Sequence, residues 1–422
     1  MIRRTIVLTK FLKKKTIVFV AHEFGLFPGH GGIAAYLYNI CKYLLENTHH
    51  NIVVIAAEYD KNTDLSKYKN FTLYSISDAN LAEKRDRVLK ILISVKPDYV
   101  EFAEYLALGL HCVLDKTNGK NFKNTVFVTN NHTATKECYE WNEKKSIIYA
   151  PFEIQNLASQ EAIQIAYSDY CIAPSKFLGK YVKKNYNLSG DVLWFMNPFF
   201  DKLKTKTEII KELSEKIDFK ALQSLFNITL ITRFEGRKCQ DRLINAFIKF
   251  LPYTKYKANL YLAGNTSYLP NSGLDYRFEL FKSISKKERK NIHFFDFLPL
   301  EKQESLIAVT DLVVMPSTFE NQPMAMIETV LRGIPIIASK YSGCADYINN
   351  DMLFDPFDEN SLVQKIKNFY NLSEEQRTEI ASMQKEQLQK ILNPEKCILP
   401  RFELKPKQPH HLSLNLEDLY HE

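Results

Sequence analysis

A chain of 422 residues, 45% apolar and 13% aromatic, is too long for one ordinary core and suits two domains of similar size, each able to bury a substantial interior. Its formal charge of +7 is uneven: residues 1 to 200 hold 25 basic and 19 acidic side chains, against 31 and 30 beyond, so the first half leans toward an anionic partner (a lipid surface, a lipid phosphate or nucleic acid) or carries a basic solvated surface. Seven scattered cysteines (Cys41, Cys112, Cys138, Cys171, Cys239, Cys344, Cys397), never spaced C-x-x-C, exclude a zinc site or disulfide framework and read as reduced thiols of a cytosolic protein, and no run approaches the roughly 18 apolar residues of a membrane span.

Residues 1 to 15 are basic with a short apolar interruption and run straight into a strand. They lack a credible cleavage site, so they read as a frayed terminus or a membrane-surface segment and not as a signal peptide. The first strand, Thr16 to Ala21, leads through Gly29, Gly31 and Gly32 to a helix from Gly32 to Leu45. Consecutive glycines between strand and helix let backbone N–H groups approach an anion, or simply make a tight turn. Neither G-x-G-x-x-G nor a Walker lysine is present, so no dinucleotide or ATP site is indicated.

Strand-like runs follow at Ile52 to Ala57, Tyr99 to Phe102, Thr125 to Thr129 and Tyr170 to Ala173, with helical patterns at Asp86 to Val95, Glu161 to Ser168 and Ser175 to Tyr186. His132, just past the strand ending at Thr129, faces a cleft in this reading. There it orients a sugar or stabilises positive charge through its backbone carbonyl, or else it is a satisfied structural histidine. The alternation breaks at Asn197-Pro198, and Lys-rich, polar residues 201 to 217 follow. A second alternating set comprises Ile228 to Ile231, Asn259 to Ala263, Ile292 to Phe295, Leu312 to Met315 and Ile334 to Ala338, with a helix over Asp241 to Phe250. Strands and helices alternating in this way imply α/β architecture: two doubly wound, Rossmann-like domains with parallel sheets, facing across a cleft. The expected boundaries are 1–198, 199–372 and a C-terminal helix and tail, 373–422.

Two places in the second domain carry chemistry. Arg233 sits at the end of the strand Ile228 to Ile231 and Lys238 near the following helix start, so both cations reach the cleft; the alternative is a solvated basic loop. Glu320 and Glu328 lie in Pro316-Ser-Thr-Phe-Glu320-Asn-Gln-Pro323-Met-Ala-Met-Ile-Glu328, between two buried strands. Asn321 or Gln322 before Pro323 is helix-start chemistry, and Gly333 supplies the positive φ that ends the helix. The helix N-terminus offers N–H groups to a phosphate, with two carboxylates beside it for hydroxyls. Either acid could instead be a solvated helix residue, but Glu328 stands among Met326, Ile327, Val330 and Leu331, where an acid needs a partner. No D-x-D occurs, so the Arg/Lys pair and helix dipoles are left to hold a diphosphate, with neither metal nor cofactor expected. Ser373-Glu-Glu-Gln376 is a capping box opening a helix to about Leu392. The tail from Pro400, with His410 and His411, reads as loosely ordered, with metal ligation the lesser alternative.

These motifs resemble the family 4 retaining glycosyltransferases of GT-B fold. The resemblance runs over most of residues 16 to 370. It rests on Gly31-Gly32, Pro97-Asp98 to Glu101, Ala173-Pro-Ser175, Asn197-Pro198, Arg233 with Lys238, and Pro316 through Glu320, Pro323 and Glu328 to Ser339. It implies that Arg233 and Lys238 grip the donor diphosphate, that Glu328 binds the ribose and Glu320 the sugar hydroxyls, and that N–H groups of Asn321, Gln322, Pro323-flanked Met324 and their neighbours hold sugar and phosphate. Gly31 and Gly32 close over the diphosphate, His132 lies near the reacting carbon, and the terminal helix crosses back onto the first domain. Thr232 and Cys239 stand where the family usually has glycines, Asp296 replaces another, and Cys344 and Asp346 replace a glycine and a glutamate. The activity implied is transfer, with retained configuration, from a UDP-, GDP- or ADP-sugar to a glycan or lipid-linked acceptor in surface polysaccharide or lipopolysaccharide synthesis. The protein is then cytoplasmic, with peripheral contact to the inner membrane surface and no nucleic-acid partner. A nucleotide-sugar epimerase of similar architecture and a non-catalytic nucleotide-sugar-binding scaffold are the alternatives.

Overall fold

The computed structural model describes residues 13–26, 31–60, 63–200, 202–214, 225–267 and 275–407. Gly29, most of the basic N-terminal segment, His410 and His411 lie outside them.

The first domain is built on strands β1 (Thr16–Phe24), β2 (Asn51–Tyr59), β3 (Phe71–Ser75), β4 (Tyr99–Ala103), β5 (Val126–Asn130), β6 (Tyr170–Ala173) and β7 (Leu193–Trp194). They form a 7-stranded sheet in the order β3-β2-β1-β4-β5-β6-β7. Its helices are α1 (Gly32–Asn47), α2 (Leu81–Val95), α3 (Leu110–Thr117), α4 (Thr135–Glu143), α5 (Phe152–Tyr167) and α6 (Lys176–Asn185). The second domain follows with α7 (Lys206–Leu213), β8 (Phe226–Ile231), α8 (Gln240–Phe250), β9 (Ala258–Ala263), α9 (Tyr276–Ser283), β10 (Ile292–Phe295), α10 (Leu300–Val309), β11 (Leu312–Met315), α11 (Met324–Leu331), β12 (Ile336–Ser339) and β13 (Leu353–Phe354). Its 6-stranded sheet has the order β10-β9-β8-β11-β12-β13. Every pairing in both sheets is parallel. Central strands are buried on both faces, which is why they read as unbroken apolar runs: Ile17 through Ala21 and Leu312 through Met315 are all buried.

The strand order reverses between β1 and β4 in one sheet and between β8 and β11 in the other. A doubly wound sheet opens a ligand crevice at the carboxyl ends of such strands, and the residues beyond β1, β4, β5, β8 and β11 meet there.

Several details differ from the sequence expectation. Residues 201 to 217 are not simply a polar linker: Thr205 caps α7 in a capping box with Glu208, and Ile209 packs with Ala308. A long helix, α12 (Glu359–Tyr370), precedes α13 (Glu374–Ile391), which opens on the Ser373/Gln376 capping box as read. However, α13 stays on the second domain, where Gln384 bonds both backbone groups of Ile336 at 3.0 and 2.9 Å. The chain returns to the first domain only afterwards, through α14 (Pro394–Cys397) and a turn at Leu399–Glu403. The tail is therefore not loose at Pro400, since Arg401 is wholly buried.

Candidate active site

The loop from β8 to α8 and the loop from β11 to α11 close on each other around one buried charge cluster. Lys238 Nζ donates to Glu320 Oε2, and Arg237 Nη1 reaches the same oxygen at 3.3 Å. Glu235 takes Arg237 Nε at 3.2 Å and Arg233 Nε at 3.0 Å. Glu235, Arg237, Lys238 and Glu320 are buried, whereas the Arg233 side chain is 64% exposed. Burial alone would push the Glu320 carboxyl up, but Lys238 and Arg237 outweigh it and hold it below the usual carboxylate range. Burial, and then Arg237, pull the Lys238 ammonium down against Glu320.

Sequence reading brought Arg233, Lys238 and Glu320 to one place, and it missed Glu235 and Arg237. The signal was present: both lie inside the Arg233 to Lys238 loop. Their partner Glu320 is 82 residues from Lys238, a separation that spacing cannot bridge. The loop also shows what one departure from the family pattern costs. Cys239 has φ +54°, left-handed backbone where a glycine is free of strain.

Helix α11 does not begin on an Asn321 or Gln322 cap. Its N-cap is Pro323, with no side-chain cap bond, because both side chains are spent elsewhere. Asn321 Oδ1 accepts the Gln322 N–H and its Nδ2 donates to the backbone oxygen of His132, and Gln322 Oε1 accepts the Asn197 N–H at 2.7 Å. The loop from β11 to α11 is thus fastened to the first domain at β5's end and at the linker. Next to Glu320, Phe319 is fully buried in a first-domain cage of Trp141, Phe177 and Tyr181, with ring centroids 5.5, 5.4 and 4.8 Å away. Asp346, another departure, accepts the Lys176 N–H across the same interface at 2.9 Å. Gly333 ends the α11 segment at φ +82°, as the sequence predicts. Glu328 lies on α11 at intermediate exposure, between buried Ile327 and Thr329.

In the first domain, Gly31 is the N-cap of α1, and its N–H donates to Glu23 Oε2 at 3.0 Å; Gly32 opens the helix. His132 is buried, with its ring 5.1 Å from that of Tyr36. Burial, with Arg401 second, lowers the imidazole to about 3, so it is neutral. Its Nε2 is buried and unpaired, while its carbonyl accepts from Asn321 and from the Thr133 hydroxyl.

The His132 loop is set from below by an acid. Glu104 Oε1 accepts the His132 and Thr133 N–H groups at 2.7 and 2.5 Å. Burial pushes the Glu104 carboxyl up to about 8, against those two N–H groups. The native state then holds a proton that the unfolded chain has released, so the group's stabilising contribution is full below about pH 4.5 and is lost as pH rises through about 8. Glu104→Gln, permanently neutral and still able to accept both bonds, is expected to melt higher than the parent above pH 8 and to coincide with it near pH 4.5. Melting curves across that range check this; a gap that did not vary with pH would count against it.

Comparison with known proteins bears on what this arrangement serves. Residues 215–387 match the family model described as Glycosyl transferases group 1. The match spans the second domain and leaves the first domain outside it. A protein of Klebsiella pneumoniae, named as an uncharacterized 41.2 kDa protein in a cps region, is 23% identical over 372 residues, which is 83% of this chain and 92% of the relative. Among solved structures, sucrose-phosphate synthase (tll1590) from Thermosynechococcus elongatus superposes with a TM-score of 0.68 at 13% identity, covering 90% of this chain and 96% of that one. Anabaena Alr3699/HepE, solved in complex with UDP-glucose, gives a TM-score of 0.61 at 15% identity over 92% and 97% of the two chains. These likenesses show the GT-B fold over most of the chain. Among the described residues no helix is long and apolar enough to cross a membrane.

Proposed function

We propose that the protein transfers a sugar from a nucleoside-diphosphate sugar to a glycan or lipid-linked acceptor, with retention of anomeric configuration, in the building of a surface polysaccharide at the inner face of the membrane. The observation that carries this is the cation cluster of Arg233, Arg237 and Lys238 beside the N-terminus of α11, with Glu320 between them. Three cations and a set of helix N–H groups at a sheet switch point suit a diphosphate, and carboxylates beside them suit hydroxyls. The relative in a cps region and the HepE complex with UDP-glucose support a polysaccharide product and a UDP-sugar donor.

In this reading Arg233 and Lys238 take the diphosphate, joined by Arg237. N–H groups of residues 321, 322 and 324 hold phosphate and sugar, Glu320 takes sugar hydroxyls, and Glu328 takes the ribose. Gly31 and Gly32 close over the diphosphate, and His132 faces the reacting carbon as a neutral imidazole. The carbon–oxygen bond to the diphosphate breaks through an oxocarbenium-like state. Charge then develops on the leaving oxygens, where the cations are worth most. The acceptor hydroxyl attacks the same face and gives its proton to the departing phosphate. No carboxylate nucleophile is needed.

A panel of UDP-, GDP- and ADP-sugars, read by thermal shift and donor consumption, tests the reading. One donor should raise the melting temperature and be consumed faster when acceptor is added. Release of free nucleotide at an unchanged rate without acceptor would point to an epimerase instead. Glu328→Gln should remove most of the donor-induced shift, and a shift equal to that of the parent would take the ribose role from Glu328.

A further inference from the structure

The most exposed large apolar side chains of the described residues stand together. Ile148, Tyr149 and Phe152 are 67%, 73% and 76% exposed, and the next is Phe357 at 56%. Three such residues, two in the short connection between α4 and α5 and one at the first position of α5, form a patch that water alone does not explain. Nor is the connection a slack loop. Tyr149 and Ala150 N–H groups donate to Ser146 and Ile147 carbonyls at 3.1 and 2.9 Å, and the Ile147 N–H donates to Glu140 at 3.0 Å. The Tyr139 hydroxyl caps the Tyr149 carbonyl at 3.2 Å, and Gln155 Nε2 serves those of Ile148 and Ala150 at 3.1 and 2.7 Å. The backbone therefore has few polar groups left for water, while its largest apolar side chains point outward. That combination suits shallow entry of the apolar side chains at the headgroup–acyl boundary, with little backbone left to desolvate.

Charge favours the same partner. Lys144 and Lys145 are exposed and directly precede the patch, and no acid occurs from 144 to 152. Glu143 and Glu153 bracket it, so the apolar side chains supply most of the attraction and the two lysines add a preference for phosphate-bearing, anionic lipid. The position also fits. Asn142, two residues before Lys144, accepts the Arg237 N–H on Oδ1 at 3.1 Å. Its backbone oxygen lies where a Cβ on Gly236 would come within 2.5 Å, so only glycine lets the two domains approach there. The patch thus grows from the helix that touches the cation loop of the cleft.

We propose that residues 144–152 are a docking wedge that seats the mouth of the cleft on an anionic phospholipid surface. Docking itself does not depend on the sugar-transfer reading; only its purpose, presenting a lipid-linked acceptor, does. The test is flotation of the full chain with phosphatidylcholine vesicles and with vesicles that also contain phosphatidylglycerol. The parent should float with both and more strongly with the second. The triple variant Ile148→Ser, Tyr149→Ser, Phe152→Ser should lose binding to both by at least about tenfold, the equivalent of one buried apolar side chain. Its melting temperature should be unchanged, because the side chains removed are exposed. Lys144→Gln with Lys145→Gln should lose only the preference for phosphatidylglycerol. A triple variant that floats like the parent overturns the proposal, as does a parent that does not float. A change of oligomeric state in the lipid-free triple variant, seen by sedimentation, also overturns it in favour of self-association. Donor consumption with a water-soluble acceptor separates the two readings. A parent that floats but consumes no donor upholds the wedge and removes only the transferase proposal.

Discussion

Lys238→Ala is expected to lower donor turnover by about 10²–10³-fold, the usual cost of removing one preorganised donor to a developing anion, and to do so mainly through kcat. The reason is where the charge lies at each stage. In the described structure Lys238 is already paired with Glu320 and buried, so ground-state binding of a diphosphate exchanges one anionic partner for another. The gain grows only as the bond to the sugar breaks and charge accumulates on the leaving oxygens. The same substitution leaves Glu320 beside Arg237 alone. Breaking a buried pair typically costs about 3–5 kcal/mol, and Arg237 at 3.3 Å should keep the loss toward the lower end. Adding Glu320→Gln to Lys238→Ala should return part of that stability and none of the turnover, because the orphaned charge is gone but the diphosphate still lacks its lysine. Denaturant melts of both single variants and the double variant, alongside steady-state kinetics, give the comparison. Equal losses in all three melts would mean that Lys238 and Glu320 do not act as a pair.

The strands were legible in the sequence, and most of the cleft was not. Buried parallel strands are apolar on both faces, so β1, β8, β11 and β12 announce themselves as short runs such as Leu312-Val-Val-Met315. The edge strands β3, β7 and β13 carry no such run: β3 has only exposed or half-buried positions, and β7 and β13 are two residues long. Helix α7 was hidden by its lysines, although Thr205 and Glu208 spell a capping box that could have revealed it. For the site, local spacing placed Arg233, Lys238 and Glu320 at neighbouring strand ends because parallel topology brings those ends together. It could not say that Asn321 would bond the His132 carbonyl and leave α11 without its polar cap. That bond spans 189 residues and two domains, and only the closed arrangement of the domains creates it.

A buried guanidinium near the end of the described chain carries the other large effect. Arg401→Met is expected to destabilise the protein by about 3–5 kcal/mol, the range for uncovering a buried charge. Glu101, the residue uncovered, lies 300 positions away. Arg401 is fully buried, and each of its nitrogens is used. Nε bonds the Cys397 carbonyl at 2.9 Å, Nη1 bonds the Tyr36 hydroxyl and Glu101, and Nη2 bonds the carbonyls of Phe195 and Met196 at 3.2 and 3.4 Å. Glu101 also accepts from the hydroxyls of Tyr36 and Tyr99 and from Asn130. One guanidinium thus joins the returning C-terminal segment, strand β4, helix α1 and the stretch that leads to Asn197. Asn197 in turn holds Gln322, and Tyr36 lies against His132, so both walls of the cleft hang from the same group. Loss of Arg401 should therefore lower donor turnover as well as stability, and the two effects can be separated. Arg401→Met with Glu101→Gln removes the orphaned charge and should recover a good part of the melting temperature. Turnover should stay low, because Met cannot hold the Phe195 and Met196 carbonyls or the Tyr36 hydroxyl. Recovery of turnover in step with stability would mean that Arg401 serves only to fill its site, and that the geometry of the cleft is set elsewhere.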